Sequence, residues 1–243
     1  MKSQQQHLLS PSMIGHHQKN SHHPLGFRLF SLLPLGLGLL FFFFSITTAF
    51  SQNEKYVNGM KKAIADMDNA KTTEEIQAAS SMFERIGDAE KNQWLPYYYA
   101  ALCQTNIGWR DQKVDKDQLA EKTKGLLDKA IAIEKNSELY IIRSMVATQQ
   151  MLVDPQSRWQ TYGAESGEAL AAAKSLDASN PRAYYLEGTS VMQTPAAFGG
   201  GKDKAKPILQ KSVDLFKTFK PASDFHPTWG QKMAEEALAN ASK

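Results

Sequence analysis

The chain has 243 residues, 28 Lys and Arg against 25 Asp and Glu, and one Cys. A single cysteine excludes an intrachain disulfide, and the near balance of charge excludes the strongly basic character that nucleic acid or an anionic membrane would select. The length suits one domain with a substantial core.

The first 51 residues stand apart. They contain no Asp or Glu, five of the six His, and only Lys2, Lys19 and Arg28 as fixed charges. An uncharged apolar stretch, "LFSLLPLGLGLLFFFFSI", runs from Leu29 to Ile46 and is followed by "TTAFSQ". A basic flank, an apolar middle and small residues before a cleavable bond are the parts of a secretory signal peptide. Ala49 and Ser51 occupy the two small-residue positions, which places cleavage between Ser51 and Gln52. A retained anchor is the rival reading, but Pro34, Gly36 and Gly38 interrupt a stretch already at the lower edge of spanning length. The expectation is a cleaved leader over 1–51 and an exported domain over 52–243, periplasmic or extracellular. In that domain 25 cations balance 25 acidic residues. Cysteine usage of this kind is ordinary for a bacterial exported protein.

From residue 54 onward apolar residues recur at helical spacing, and no run alternates as a strand requires. Tyr56, Met60, Ala63, Ile64 and Met67 share a face; Ile76, Ala79, Phe83 and Ile86 make the next. Thr72 and Glu75 have capping-box spacing. Leu119, Leu126, Leu127, Ala130 and Ile133 form a further stripe. Asp154-Pro155 and Asn180-Pro181 each put a capping side chain before a proline that fits the first helical turn, and His226-Pro227 does so more weakly. The pattern predicts an all-α chain of about nine helices: 54–69, 73–89, 94–108, 116–135, 137–152, 156–178, 181–193, 203–219 and 227–241. Cys103, within "YYYAALCQT", reads as a small core residue.

Three phrases repeat: "EKNQWLPYYYAA", "EKNSELYIIRS" and "DASNPRAYYLEG". Aligned, they bring Tyr97, Tyr140 and Tyr184 into register at separations of 43 and 44 residues, each four before Ala101, Ser144 or Gly188. The unit is a helix, a polar turn and a second helix, with a small residue where two helices must approach. A fixed period of this kind marks a helical-pair solenoid. The stretch "EALAAAKSLDASNPRAYYLEG" resembles a tetratricopeptide (TPR) repeat, though the period exceeds the usual one and no repeat carries the full Trp-Leu-Gly-Tyr set. The last third, with "NPRAYYLEGTSVMQTPAAFGGGKDKAKPILQKSVDLF" and "HPTWG", is similar to exported TPR-like proteins common in Bacteroidetes. The resemblance implies a TPR-like α-α superhelix and supplies no active-site residues.

Candidate sites are few. "FGGGKDK" has glycines and a lysine, but Asp203 stands where a phosphate loop needs Ser or Thr, so it reads as a turn between helices with Phe198 plugged into the core. His226 is the one His beyond the leader and has no partner at metal or nucleophile spacing. "DQKVDKD" lacks the glycine and terminal Glu of a calcium loop. Nothing points to catalysis, a metal or another cofactor. The first helices of successive repeats line the concave face of such a solenoid, and Tyr98, Tyr99, Arg143, Arg182 and Tyr185 lie on them. Tyr and Arg favour binding hot spots, so these five are the candidate partner-binding residues, with partly exposed packing between repeats as the alternative reading. The expectation is a non-enzymatic interaction or scaffolding module of the cell envelope, taking a peptide or protein in its groove. The alternative is a small-ligand binder or transport accessory with an aromatic pocket between repeats.

Overall fold

A computed structural model describes residues 54–243; the expected leader and its cleavage bond lie outside the described residues. Among the described residues every regular element is a helix. In chain order these are α1 (54–69), α2 (Thr73–Glu90), α3 (Leu95–Arg110), α4 (Lys116–Ile133), α5 (Ser137–Val153) and the single turn α6 (Pro155–Arg158). A π-helical turn (Trp159–Gly163) leads into α7 (Ala164–Leu176), and α8 (Pro181–Gln193), α9 (Lys202–Thr218) and α10 (Gln231–Ala241) follow.

The caps are where the sequence puts them. Thr72 accepts from the Glu75 backbone N–H while Glu75 accepts from the Thr72 N–H, and Asn180 accepts from the Arg182 N–H at 3.0 Å. Each such cap contributes about 1 kcal/mol by satisfying an N–H that the helix itself cannot. Two elements differ from expectation by more than a residue or two at an end. The segment 156–178 is not one regular helix, because the π turn inserts an extra residue into the ladder. The last helix starts at Gln231 rather than 227. Gly230 holds φ at 113°, and a Cβ there would meet the Phe216 ring at 2.8 Å, so the helix begins only after this glycine.

The helices pack as antiparallel pairs, α2 on α3, α5 on α7 and α8 on α9, with α3 and α5 meeting across the α4 boundary. Cross-helix hydrogen bonds repeat at one period of sequence. Gln149 donates to the Thr105 carbonyl (2.7 Å), Asn180 to Ser137 Oγ (3.1 Å) and Arg182 to Glu138 (3.0 Å), spanning 44, 43 and 44 residues. Each unit is therefore fastened to its neighbour at matching positions. The small residues act as expected: Ser144 is buried with its hydroxyl 2.8 Å from that of Ser166, and a Cβ on Gly188 would lie 2.6 Å from Leu209. The aligned tyrosines are core-side, with Tyr97 and Tyr184 buried and Tyr140 half-buried. Cys103 is fully buried, and its thiol is pushed up to about 12 by burial. No helix among the described residues is long and apolar enough to cross a membrane.

Candidate functional site

The five candidate groove residues do not share an open surface. Segment 219–230, between α9 and α10, lies over the N-terminal ends of α3, α5 and α8 and covers three of them. Tyr98 is fully buried; its hydroxyl accepts from the Trp229 indole N–H at 2.8 Å, and its ring meets Trp94 and Tyr99 edge-on. Tyr99 stacks on Phe83 and donates to the Phe225 carbonyl at 2.9 Å. Arg182 is fully buried: it pairs with Glu138, donates to the Pro227 carbonyl at 2.7 Å, and lies over the rings of Phe219 and Trp229. Burial drives both tyrosine hydroxyls up and raises the Glu138 carboxyl against the opposing pull of Arg182. Arg143 is half-buried and pairs with Asp128, while Tyr185 packs half-buried between α9 and α10. These side chains therefore hold helices and the covering segment together. Phe198 departs from expectation in the other direction: it is 78% exposed and plugs nothing, because Gly199 turns the chain away at φ 85°.

An open cleft lies at the opposite ends of α3 and α5. It has a volume of about 520 Å³ and is bounded by Trp109, Gln112, Val114, Lys116, Leu152 and Val153, among others. Its floor is made by a close approach: a Cβ on Gly108 would stand 2.5 Å from Gln149 Oε1, so only glycine lets the Gln149 amide reach the Thr105 carbonyl. Its cation is Lys116, which donates to the carbonyls of Gly108 and Asp111 and so closes the C-terminal end of α3. Asp115 caps α4 by accepting from the N–H groups of Asp117 and Gln118.

Asp117 ties the cleft to the π turn. It accepts from Arg158 at 2.9 Å and from the Gln150 amide at 3.0 Å, and the Arg158 hydrogen bond, ahead of that from Gln150, holds its carboxyl below the usual carboxylate range. Trp109, Leu152 and Val153 remain 41%, 44% and 48% exposed, a large apolar presence for helix ends that should be polar. Trp159, next to Arg158 in the π turn, is 56% exposed. The cleft lining contains no His, Cys, Met or Tyr, and no group of three or more metal-ligating side chains occurs among the described residues. The arrangement suits the face of an apolar or aromatic molecule. Sequence reasoning missed it, although one signal was present: "QMLV" keeps α5 apolar through its last turn, past the face that meets the core.

No family model matches the chain, and no curated protein does. Among solved structures, the HusA haemophore from Porphyromonas gingivalis matches with a TM-score of 0.71 and 37% identity, over 76% of this chain and 92% of that one. The chain belongs to the same family as that haemophore. The expected peptide- or protein-binding scaffold is corrected by this kinship, since a haemophore is a small-ligand binder. The covering segment gives the physical reason: the groove that the repeat suggested is covered at Tyr98, Tyr99 and Arg182 by the protein's own chain.

Proposed function

We propose that this protein binds haem, or a closely related planar tetrapyrrole, outside the cytoplasm, with the open cleft as its docking surface. The observation that carries this reading is the 37% identity to a haemophore across 92% of its length. The cleft supports it. Its volume, about 520 Å³, lies within the ordinary range of small-molecule sites, roughly 300–1,000 Å³. Trp109, Leu152 and Val153 offer apolar contact to a ring face. An ammonium has three donors, of which Lys116 uses two on backbone carbonyls, so one is left to meet a ligand carboxylate. The lining recognises the ring rather than the iron, because it holds no usual haem-iron ligand. The TPR-like architecture and the cleaved leader belong to the same proposal: a stack of fastened helical pairs, exported as a carrier. The test is a titration of hemin into protein lacking residues 1–51, followed by the Soret band and by tryptophan quenching. A saturable spectral shift that weakens in Trp109→Ala is the expected result; no shift at any hemin concentration defeats the reading.

A further inference from the structure

The turn before α9 exposes what a soluble core would cover. Residues 195–199, "PAAFG", are all exposed, and Phe198 stands at the tip of a 3-10 turn (Ala196–Phe198). Immediately beyond it, Lys202, Lys204 and Lys206 lie exposed in the first turns of α9. None of the three belongs to an ion pair among the described residues. Asp203 is the one acidic residue of that first turn.

Neither feature serves the fold. Burying a phenylalanine stabilises a fold, and this side chain forgoes that gain. Cations near a helix N-terminus oppose the helix dipole, so these lysines stand where helix stability disfavours them. A local rule broken without structural compensation points to function. The chemistry also separates two kinds of partner. Protein interfaces are enriched in Arg and depleted in Lys, whereas a diffuse anionic surface attracts any cation. Here the cations are all lysine, beside an apolar tip.

We propose that residues 195–206 form a docking edge for an anionic lipid surface, with Phe198 entering the interfacial layer, Lys202 and Lys206 meeting lipid phosphates, and Lys204 adding to the local positive potential. Lys202 and Lys206 are four apart and share one side of the helix; Lys204, on the opposite side, adds to the positive potential of this helix end. One apolar residue and three cations give weak, reversible attachment rather than anchoring. The balanced charge of the whole domain is compatible with this, because the edge depends on a local cluster. The proposal is independent of the haem reading.

Every described helix lies within residues 54–243, so protein lacking residues 1–51 serves as the test material and removes the apolar leader from the assay. Its sedimentation is measured with phosphatidylcholine vesicles and with phosphatidylcholine–phosphatidylglycerol vesicles. Binding to the anionic vesicles alone, lost on adding salt, is expected. Replacing Lys202, Lys204 and Lys206 together by Gln should weaken partition about a hundredfold, from roughly 1 kcal/mol per lysine. Phe198→Ser should weaken it about tenfold. Neither variant should lose helicity or melt earlier than the parent, since Phe198 is exposed and neutral residues at the helix start relieve an unfavourable dipole contact. No vesicle binding by the parent protein, equal binding to neutral vesicles, or indifference to both sets of substitutions overturns the proposal. So does lysine-dependent retention on an acidic membrane protein without vesicle binding.

Discussion

The two ends of α3 and α5 are made from similar residues and behave in opposite ways. At the N-terminal end Trp94, Tyr98, Tyr99, Glu138 and the α8 residue Arg182 are sealed under segment 219–230, and their polar atoms are answered from within the protein except for Glu138 Oε2 and Arg182 Nε. At the C-terminal end Trp109, Leu152 and Val153 have no such roof. Aromatic and cationic residues thus mark a joint in one place and a candidate site in the other. What separates them is whether another part of the chain arrives to cover them.

The strongest way to break this comparison is Arg182→Ala. It leaves Glu138 buried without its partner, and unfolding by urea should show a loss of about 3–5 kcal/mol. Hemin affinity of the folded protein should not change; a fall in affinity without a fall in stability would move the ligand to the sealed end. Next comes Tyr98→Phe, which strips the Trp229 indole of its acceptor and should lower stability by about 1–3 kcal/mol, read from the same denaturation. Trp109→Ala reverses the pattern. Its stability should fall less than that of Arg182→Ala, because the Trp109 side chain is 41% exposed and leaves no buried charge behind. Its hemin affinity should drop about tenfold, the worth of a lost aromatic contact.

The smallest effect sharpens the contrast through pH. Asp117, at the open end, has a carboxyl depressed in the folded state, so its contribution is present above the unfolded value of 3.8 and is lost as pH falls through the lower folded value. Being half-exposed, it should contribute less than about 1 kcal/mol. Glu138, at the sealed end, is raised above 4.5, so the folded protein binds its proton first and that term favours folding fully below 4.5, fading as pH rises through the folded value. Denaturation across acid pH should therefore show opposite changes of slope in Asp117→Asn and Glu138→Gln. Slopes of the same sign would show that the two carboxyls do not differ as their surroundings require.

Much of the architecture was legible before any coordinates. Thr72 with Glu75, Asn180 before Pro181, and the 3.6-residue stripes mark helix starts and faces because caps and amphipathicity are local in sequence. The period linking Tyr97, Tyr140 and Tyr184 was equally readable, since each unit repeats the same packing problem. The functional reading was less so. Groove and packing readings of Tyr98, Tyr99 and Arg182 stay open in the sequence, because nothing local in their helices reveals a segment some forty to one hundred and thirty positions later. Phe198 was placed inside because apolar residues usually are, and the φ of Gly199 is not written in composition.

By itself, then, the sequence determined which residues form helices, where those helices stop, and the rhythm at which they stack. Only the tertiary structure decided which aromatic surface is covered and which is open. The reason is physical. Helix formation depends on hydrogen bonds and side chains within a few residues, whereas burial depends on where distant segments come to rest. Segment 219–230 rests over the N-terminal ends of α3, α5 and α8, and it leaves Trp109, Leu152 and Val153 to the solvent.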